Sequence, residues 1–267
     1  MKCVSNILII ITIYMNTVIL KSFFISLVVV AVSYFFRQIF HTELYLSDVG
    51  GLSTFIGAFA TLFGLLSAFV VFEVWGQYNK TTLYVDKEAA GLERLYRLTL
   101  YFRDDKLTEK MGQAIAKYAN MVIAGKFQKL SEGKRNTENG LSFREISNVI
   151  REIKFDDNHD EIIFDHMVSH YGDMSDLRTE RINQSLARLP KLLKMFLYIA
   201  SFFVIFCLVI MPFSNMYYSM FAVFAMTFVI VMIYFLIEDL DNPFVGNWNI
   251  TPEPFERALK HIEEDYK

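Results

Sequence analysis

The sequence is short of charge, of cysteine and of any compact catalytic motif. Charged residues make up 21% of the chain against 54% apolar, where a soluble domain carries about 25% charged. The deficit is local: no charged residue lies between Met195 and Ile237, and none between Val49 and Phe72. Such segregation excludes a single soluble globule and a disordered chain. The two cysteines, Cys3 and Cys207, are far apart and Cys207 lies in an apolar run, which fits a reducing compartment or lipid burial better than a disulfide framework. The chain holds no glycine-rich phosphate loop, no serine or cysteine nucleophile motif and no carboxylate pair set in an apolar stretch, so enzyme activity is not expected. A net charge of −3 without a basic excess gives no support for nucleic acid as a partner.

What is present is a set of long apolar runs. As one helix, Met195 to Ile237 would extend roughly 65 Å, about twice the ~30 Å hydrocarbon core. It must be two spans, and Met211-Pro212-Phe213-Ser214-Asn215 supplies the turn. The third span thus begins after Pro190, with Lys191 and Lys194 snorkelling, and the fourth runs from Tyr217 to Ile237. The second span, Val49 to Phe72, is bounded by Asp48 and by Glu73, Trp75 and Tyr78. Its aromatic pair marks a membrane–water interface. Ser22 to Phe36 is too short to span alone, and extension to Phe40 with Arg37 snorkelling completes a first span. Val4 to Leu20 is open: a separate span, an upstream extension of the first helix, or an interfacial segment. No small-x-small cleavage site follows it, so it reads as a retained membrane segment.

Lys and Arg crowd the stretch from Gln77 to Lys194 and recur in the tail, while the two short connections hold one and none. That asymmetry places the long segment and both termini in the cytoplasm, within the cell (inner) membrane. The expected fold is an all-α membrane protein, with four transmembrane helices and a helical cytoplasmic domain inserted between spans two and three. Its divisions are 1–76, 77–190, 191–238 and a tail at 239–267. In the cytoplasmic part, Leu83, Ala90, Leu95, Leu98 and Phe102 recur near helical spacing, so span two should continue as one long helix. Asp105 to Leu130 is a second helix and Ser131 to Gly140 a polar loop. Shorter helices are expected at Ser142 to Phe155, Glu161 to His170 and Asp176 to Arg188.

On the second span, 100° per residue brings Gly57, Thr61, Gly64, Ala68 and Val71 onto one narrow face, with Phe55, Phe59, Leu62, Phe63, Leu66 and Phe69 broadly opposite. Such a face either admits a neighbouring helix closely or lines a weakly polar conduit, with Leu65 as a candidate constriction. Glu73, at the inner end, is either functional or paired with Lys191 or Lys194. His166 and His170 share a helix face near Asp165 and Asp173, but lack a zinc-protease glutamate; solvated or locally bonded histidines are expected. Glu238, Asp239 and Asp241 either bind a hard cation, as weak candidates, or interact with the basic cytoplasmic helices, and Trp248 and Phe255 are candidate anchors for a folded-back tail.

Two motifs carry a resemblance. Gly64-Leu-Leu-Ser-Ala-Phe-Val-Val-Phe-Glu-Val-Trp75-Gly-Gln77-Tyr78 resembles the end of the pore helix of the bestrophin anion channels, and Asp239-Leu-Asp241-Asn242-Pro243-Phe244 resembles the Asn-Pro-Phe element after their last span. With the span layout, the chain resembles the bestrophin-like membrane proteins. The resemblance implies a homo-oligomer, a pentamer, in the lipid bilayer. Its second span would surround an axis that passes inorganic anions such as chloride. Gly57, Thr61, Gly64, Leu65 and Ala68 would line the pore, and Glu73, Trp75, Gln77 and Tyr78 would form its cytoplasmic mouth.

Two departures narrow the transfer. The bulky hydrophobic neck of bestrophins falls here on Gly57, Thr61 and Leu65, and their run of acids after Asn-Pro-Phe is replaced by Val245-Gly-Asn-Trp-Asn249. No cofactor is therefore expected, with calcium left as a weak alternative. The rival reading is a non-conducting membrane anchor or scaffold whose cytoplasmic domain binds a protein partner.

Overall fold

The computed structural model describes residues 2–40, 48–124, 138–155, 158–211, 213–246 and 248–265, with the side chains of the first helix described from Thr17 onward. The described residues are helical without strands. In chain order the helices are α1 (Lys2–Phe40), α2 (Val49–Leu100), α3 (Asp105–Ala124), α4 (Glu138–Arg151), α5 (Asn158–Leu186), α6 (Lys191–Ile210), α7 (Met216–Leu240) and α8 (Glu253–Asp265). Four segments are long and apolar enough to cross a membrane; they fall on α1, α2, α6 and α7. The chain divides into two compact units, Met1–Trp75 with Leu189–Asp241, and Gly76–Arg188 with Asn242–Lys267.

In the first unit α1 lies along α7, and α6 packs on both. Among the described side chains of α1 the buried ones are Ser22, Ser26 and Ser33, and those of α7 include Ser219, Val223 and Thr227. Small side chains let two helix backbones approach closely, the usual device where lipid removes any hydrophobic drive for helix association. Asn215 starts α7 by accepting the N–H groups of Tyr217 and Tyr218 at 2.9 and 3.3 Å. The expected turn at Pro212 lies outside the described residues.

Of the three readings open for Val4 to Leu20 the structure takes one, the upstream extension of the first span, since α1 is one 39-residue helix. No glycine or proline interrupts it, so nothing breaks the hydrogen-bond ladder. Arg37 does not reach out to headgroups. Its Nε donates to Val209 O at 2.9 Å, and its Nη2 donates to Leu208 O at 3.1 Å and Met211 O at 2.9 Å. These carbonyls at the end of α6 lack helical partners, and a guanidinium supplies several donors at once.

The second unit has an apolar core made by α2 beyond Gly76 with α3, α4, α5, the tail and α8. Asp104 starts α3, its Oδ1 accepting the N–H groups of Lys106 and Leu107. Lys110 and Lys117 on α3 reach Glu152 and Glu145 at 2.6 Å. Phe244 and Phe255 are fully buried, each contributing about 1.5–3 kcal/mol of transfer free energy. The tail therefore does fold back, but on Phe244, Ile250 and Phe255; Trp248 remains 39% exposed.

As expected, α2 runs on as one helix of 52 residues. Of its expected apolar line in the second unit, Leu95 and Phe102 are buried and Leu98 rests on the core, but Leu83 and Ala90 are exposed, and Val85, Glu88 and Leu92 are buried instead. The two helices expected at Glu161 to His170 and Asp176 to Arg188 are one, α5, whose Met167, Met174 and Arg181 keep a heptad contact with the core. The end of the expected Asp105 to Leu130 helix beyond Ala124, and the polar loop up to residue 137, lie outside the described residues.

Candidate functional site

The site begins with how α2 is used in the first unit. Its buried residues there are Phe63, Ser67, Val70 and Val74, at helical spacing. The face carrying Gly57, Thr61, Gly64, Leu65 and Ala68 lies about 130° round the helix, and all five residues are exposed. A side chain built at Gly57 or Gly64 would meet nothing within 4 Å. The small residues thus do not receive a helix of the same chain; that role falls to α1 and α7. Thr61 turns its hydroxyl to Gly57 O at 2.8 Å, which satisfies it within the helix and leaves its methyl and oxygen at the surface.

Phe72 was not among the residues picked from sequence. It projects from the same face as Leu65 and Ala68, one heptad beyond Leu65, and is 76% exposed. The signal was available: a bulky ring inside an uncharged run, on the small-residue azimuth.

At the end of the apolar run of α2, Glu73 is exposed and Trp75 is 40% exposed. Lys194, expected as a partner for Glu73, is held by Glu238 at 3.1 Å and Asp241 at 2.8 Å. In the second unit, Gln77 accepts from Thr81 through its backbone carbonyl, and Tyr78 rests on the apolar core.

The tail motif makes its contacts within the chain. Asp241 Oδ1 accepts the Leu189 N–H at 2.6 Å and its Oδ2 meets Lys194, while Glu238 also accepts from Tyr198 at 3.4 Å. An ammonium therefore sits between the two carboxylates that a calcium ion would need, so Glu238 and Asp241 do not fit that ion. Asp239 is half-buried on the last turn of α7. In the second unit, Asn242 Oδ1 accepts from Arg188 at 3.0 Å, and Pro243 and Phe244 are buried.

The second unit has one buried polar centre that sequence reasoning missed. Arg181 Nε and Nη2 donate to Glu88 at 2.6 and 3.2 Å, and the Tyr118 hydroxyl donates to the same carboxylate. Burial, reinforced by the Glu88 carboxylate, pushes the Tyr118 hydroxyl's pKa up, so it remains a donor. His170 is bonded to Gly91 O at 3.0 Å, and His166 is exposed. Among the described residues no group of three or more metal-ligating side chains converges.

A family model of the Bestrophin-like domain matches residues 23–255. No curated protein and no solved structure matches the chain.

Proposed function

The chain belongs to the bestrophin-like family and is a multi-pass membrane protein related to its channels; from that premise we propose that copies of it assemble around an axis lined by α2 and pass small inorganic anions such as chloride. One observation carries this reading: among the described residues nothing covers the face of Gly57, Thr61, Gly64, Leu65 and Ala68, while the side carrying Phe63, Ser67, Val70 and Val74 is buried. In a ring of subunits that face meets either the axis or the next copy. A weakly polar lining of threonine hydroxyls and exposed helical backbone lets a hydrated anion pass without binding it tightly.

The narrowest level is at Phe72, where a ring stands on the axis side near the inner end of the apolar run. Leu65 is a second, smaller constriction. Glu73, Trp75, Gln77 and Tyr78 form the mouth. The second unit is cytoplasmic, as are both termini, because the basic residues concentrate there and beside α6. The membrane is the cell (inner) membrane. No bond-making step is assigned to the chain, and calcium has no role because Lys194 occupies its place. Projection images of the purified oligomer test the arrangement: five-fold symmetry is expected, and a monomer or a two-fold dimer would overturn it.

A further inference from the structure

Lys21 interrupts the apolar run of α1, and the contacts of α1 within the first unit fix how deep it stands. The helix has 39 residues, about 58 Å, so a ~30 Å hydrocarbon core holds only part of it. Two contacts show which part. Arg37 reaches the carbonyls that end α6, and from Arg37 back to Lys21 is about 24 Å of helix, or roughly 18 Å once the arginine's own reach is taken off. Phe23 meets Phe224 edge-on, with ring centroids 5.4 Å apart. From Phe224 to Ile237, the last residue before Glu238, α7 extends about 20 Å, so Lys21, two residues nearer that end than Phe23, stops about 17 Å short of it. The embedded part of α1 is therefore centred near Lys21 rather than starting after it. A lysine stem reaches about 6 Å, which leaves the ammonium about 10 Å inside the hydrocarbon from either side.

A charge at that depth faces a bundle interior or a water-filled cavity, not lipid. Its own chain supplies no cover. Lys21 is exposed, about 120° round α1 from Ser22, Ser26 and Ser33, which are buried. Thr17, one turn away on the same side, is exposed too. Among the described residues no carboxylate meets Lys21, whereas Lys194 holds both Glu238 and Asp241. No aspartate or glutamate occurs in residues 2–40, 49–72 or 195–237, so a second copy brings none to this depth either.

Charge balance then points to the occupant. A fixed cation in a low-dielectric layer holds a counter-charge, and with no carboxylate at its level a small anion entering from solution with its water supplies it. We infer that Lys21 is the fixed cation of a water-filled cleft on the open side of α1 that holds a small inorganic anion such as chloride. The depth and the charge carry the binding; the wall that closes the cleft, and any effect on permeation, rest on the assembly proposed above.

An anion bound only by the folded chain raises its stability by mass action. In nanodiscs of neutral lipid, the thermal midpoint is expected to fall by a few degrees when gluconate, too bulky for the cleft, replaces chloride at fixed ionic strength. Lys21→Gln should remove the difference and Lys21→Arg, which keeps the charge, should retain it. Equal midpoints in the two salts for the unmodified chain, or the same difference in Lys21→Gln, overturn the site. So does a Lys21→Gln chain that loses a dependence on anionic lipid and none on chloride, because a headgroup phosphate would then be the occupant. With Cys3 and Cys207 replaced, Lys21→Cys is expected to react with an anionic, water-borne methanethiosulfonate, and a nitroxide there to report a depth near the bilayer midplane. A nitroxide at headgroup level overturns the depth, and a deep but unreactive thiol overturns the water. If the unmodified chain shows the chloride dependence yet passes no chloride, the conduction reading fails and the site stands.

Discussion

Arg181 Nε lies 2.6 Å from Glu88 Oε2 inside the second unit, with side chains 1% and 0% exposed. Two buried charges gain little over an apolar pair, but removing one strands the other. Arg181→Met is therefore expected to cost about 3–5 kcal/mol, read as a fall in the unfolding midpoint of the detergent-purified protein. Combining it with Glu88→Leu should recover much of the loss; a double variant as unstable as the single one would contradict this account of the pair.

Arg37 closes the end of α6 through three carbonyls. Arg37→Gln is expected to lower stability by about 1–3 kcal/mol, the cost of hydrogen bonds to a charged group. Arg37→Lys should recover only part, since an ammonium lacks the planar fork. Equal thermal midpoints for Lys and Arg at this position would show that charge alone matters.

Lys194 bridges Glu238 and Asp241. Millimolar calcium or a chelator is expected to leave the thermal midpoint and any anion flux unchanged. Lys194→Met leaves Asp241, whose side chain is 5% exposed, with an unbalanced buried charge and should destabilise the chain. A calcium-dependent rise in stability of the unmodified chain would count against the ammonium's role.

In the proposed pore Phe72 stands on the axis side of α2. Phe72→Ala is expected to raise single-channel conductance, and Leu65→Ala to raise it less. Identical currents from the Phe72 variant would move the constriction elsewhere.

Much of this was legible in the amino-acid order because charge exclusion alone defines a span. Val49 to Phe72 and the pair of runs around Pro212 needed no tertiary information. The continuation of α2 to Leu100 was equally plain from its unbroken helical composition. What was hidden depends on side chains that break the apolar code. Glu88 and Arg181 occupy core positions far apart in sequence, so the true buried line through Val85 and Leu92 looked interrupted, and the exposed Leu83 and Ala90 looked like its substitute. The break expected between His170 and Asp176 does not occur, because Met174 is buried on the core in the middle of that gap. Arg37 reads as a snorkelling cation from sequence because its partners, backbone carbonyls near Val209, carry no residue signature. In the candidate site, glycine and threonine spacing marked the face, but only burial of the opposite side showed that the chain leaves it uncovered.

The most direct test of the conduction path is chloride efflux from liposomes holding the purified oligomer, compared with the same oligomer carrying Thr61→Phe. Thr61 is exposed on the small-residue face, so a ring there is accommodated by the single chain and narrows only the assembled path. The account predicts efflux well above that of empty vesicles for the unmodified chain and efflux at the empty-vesicle level for Thr61→Phe, with the oligomer's mass unchanged. Efflux from neither, or equal efflux from both, would contradict it.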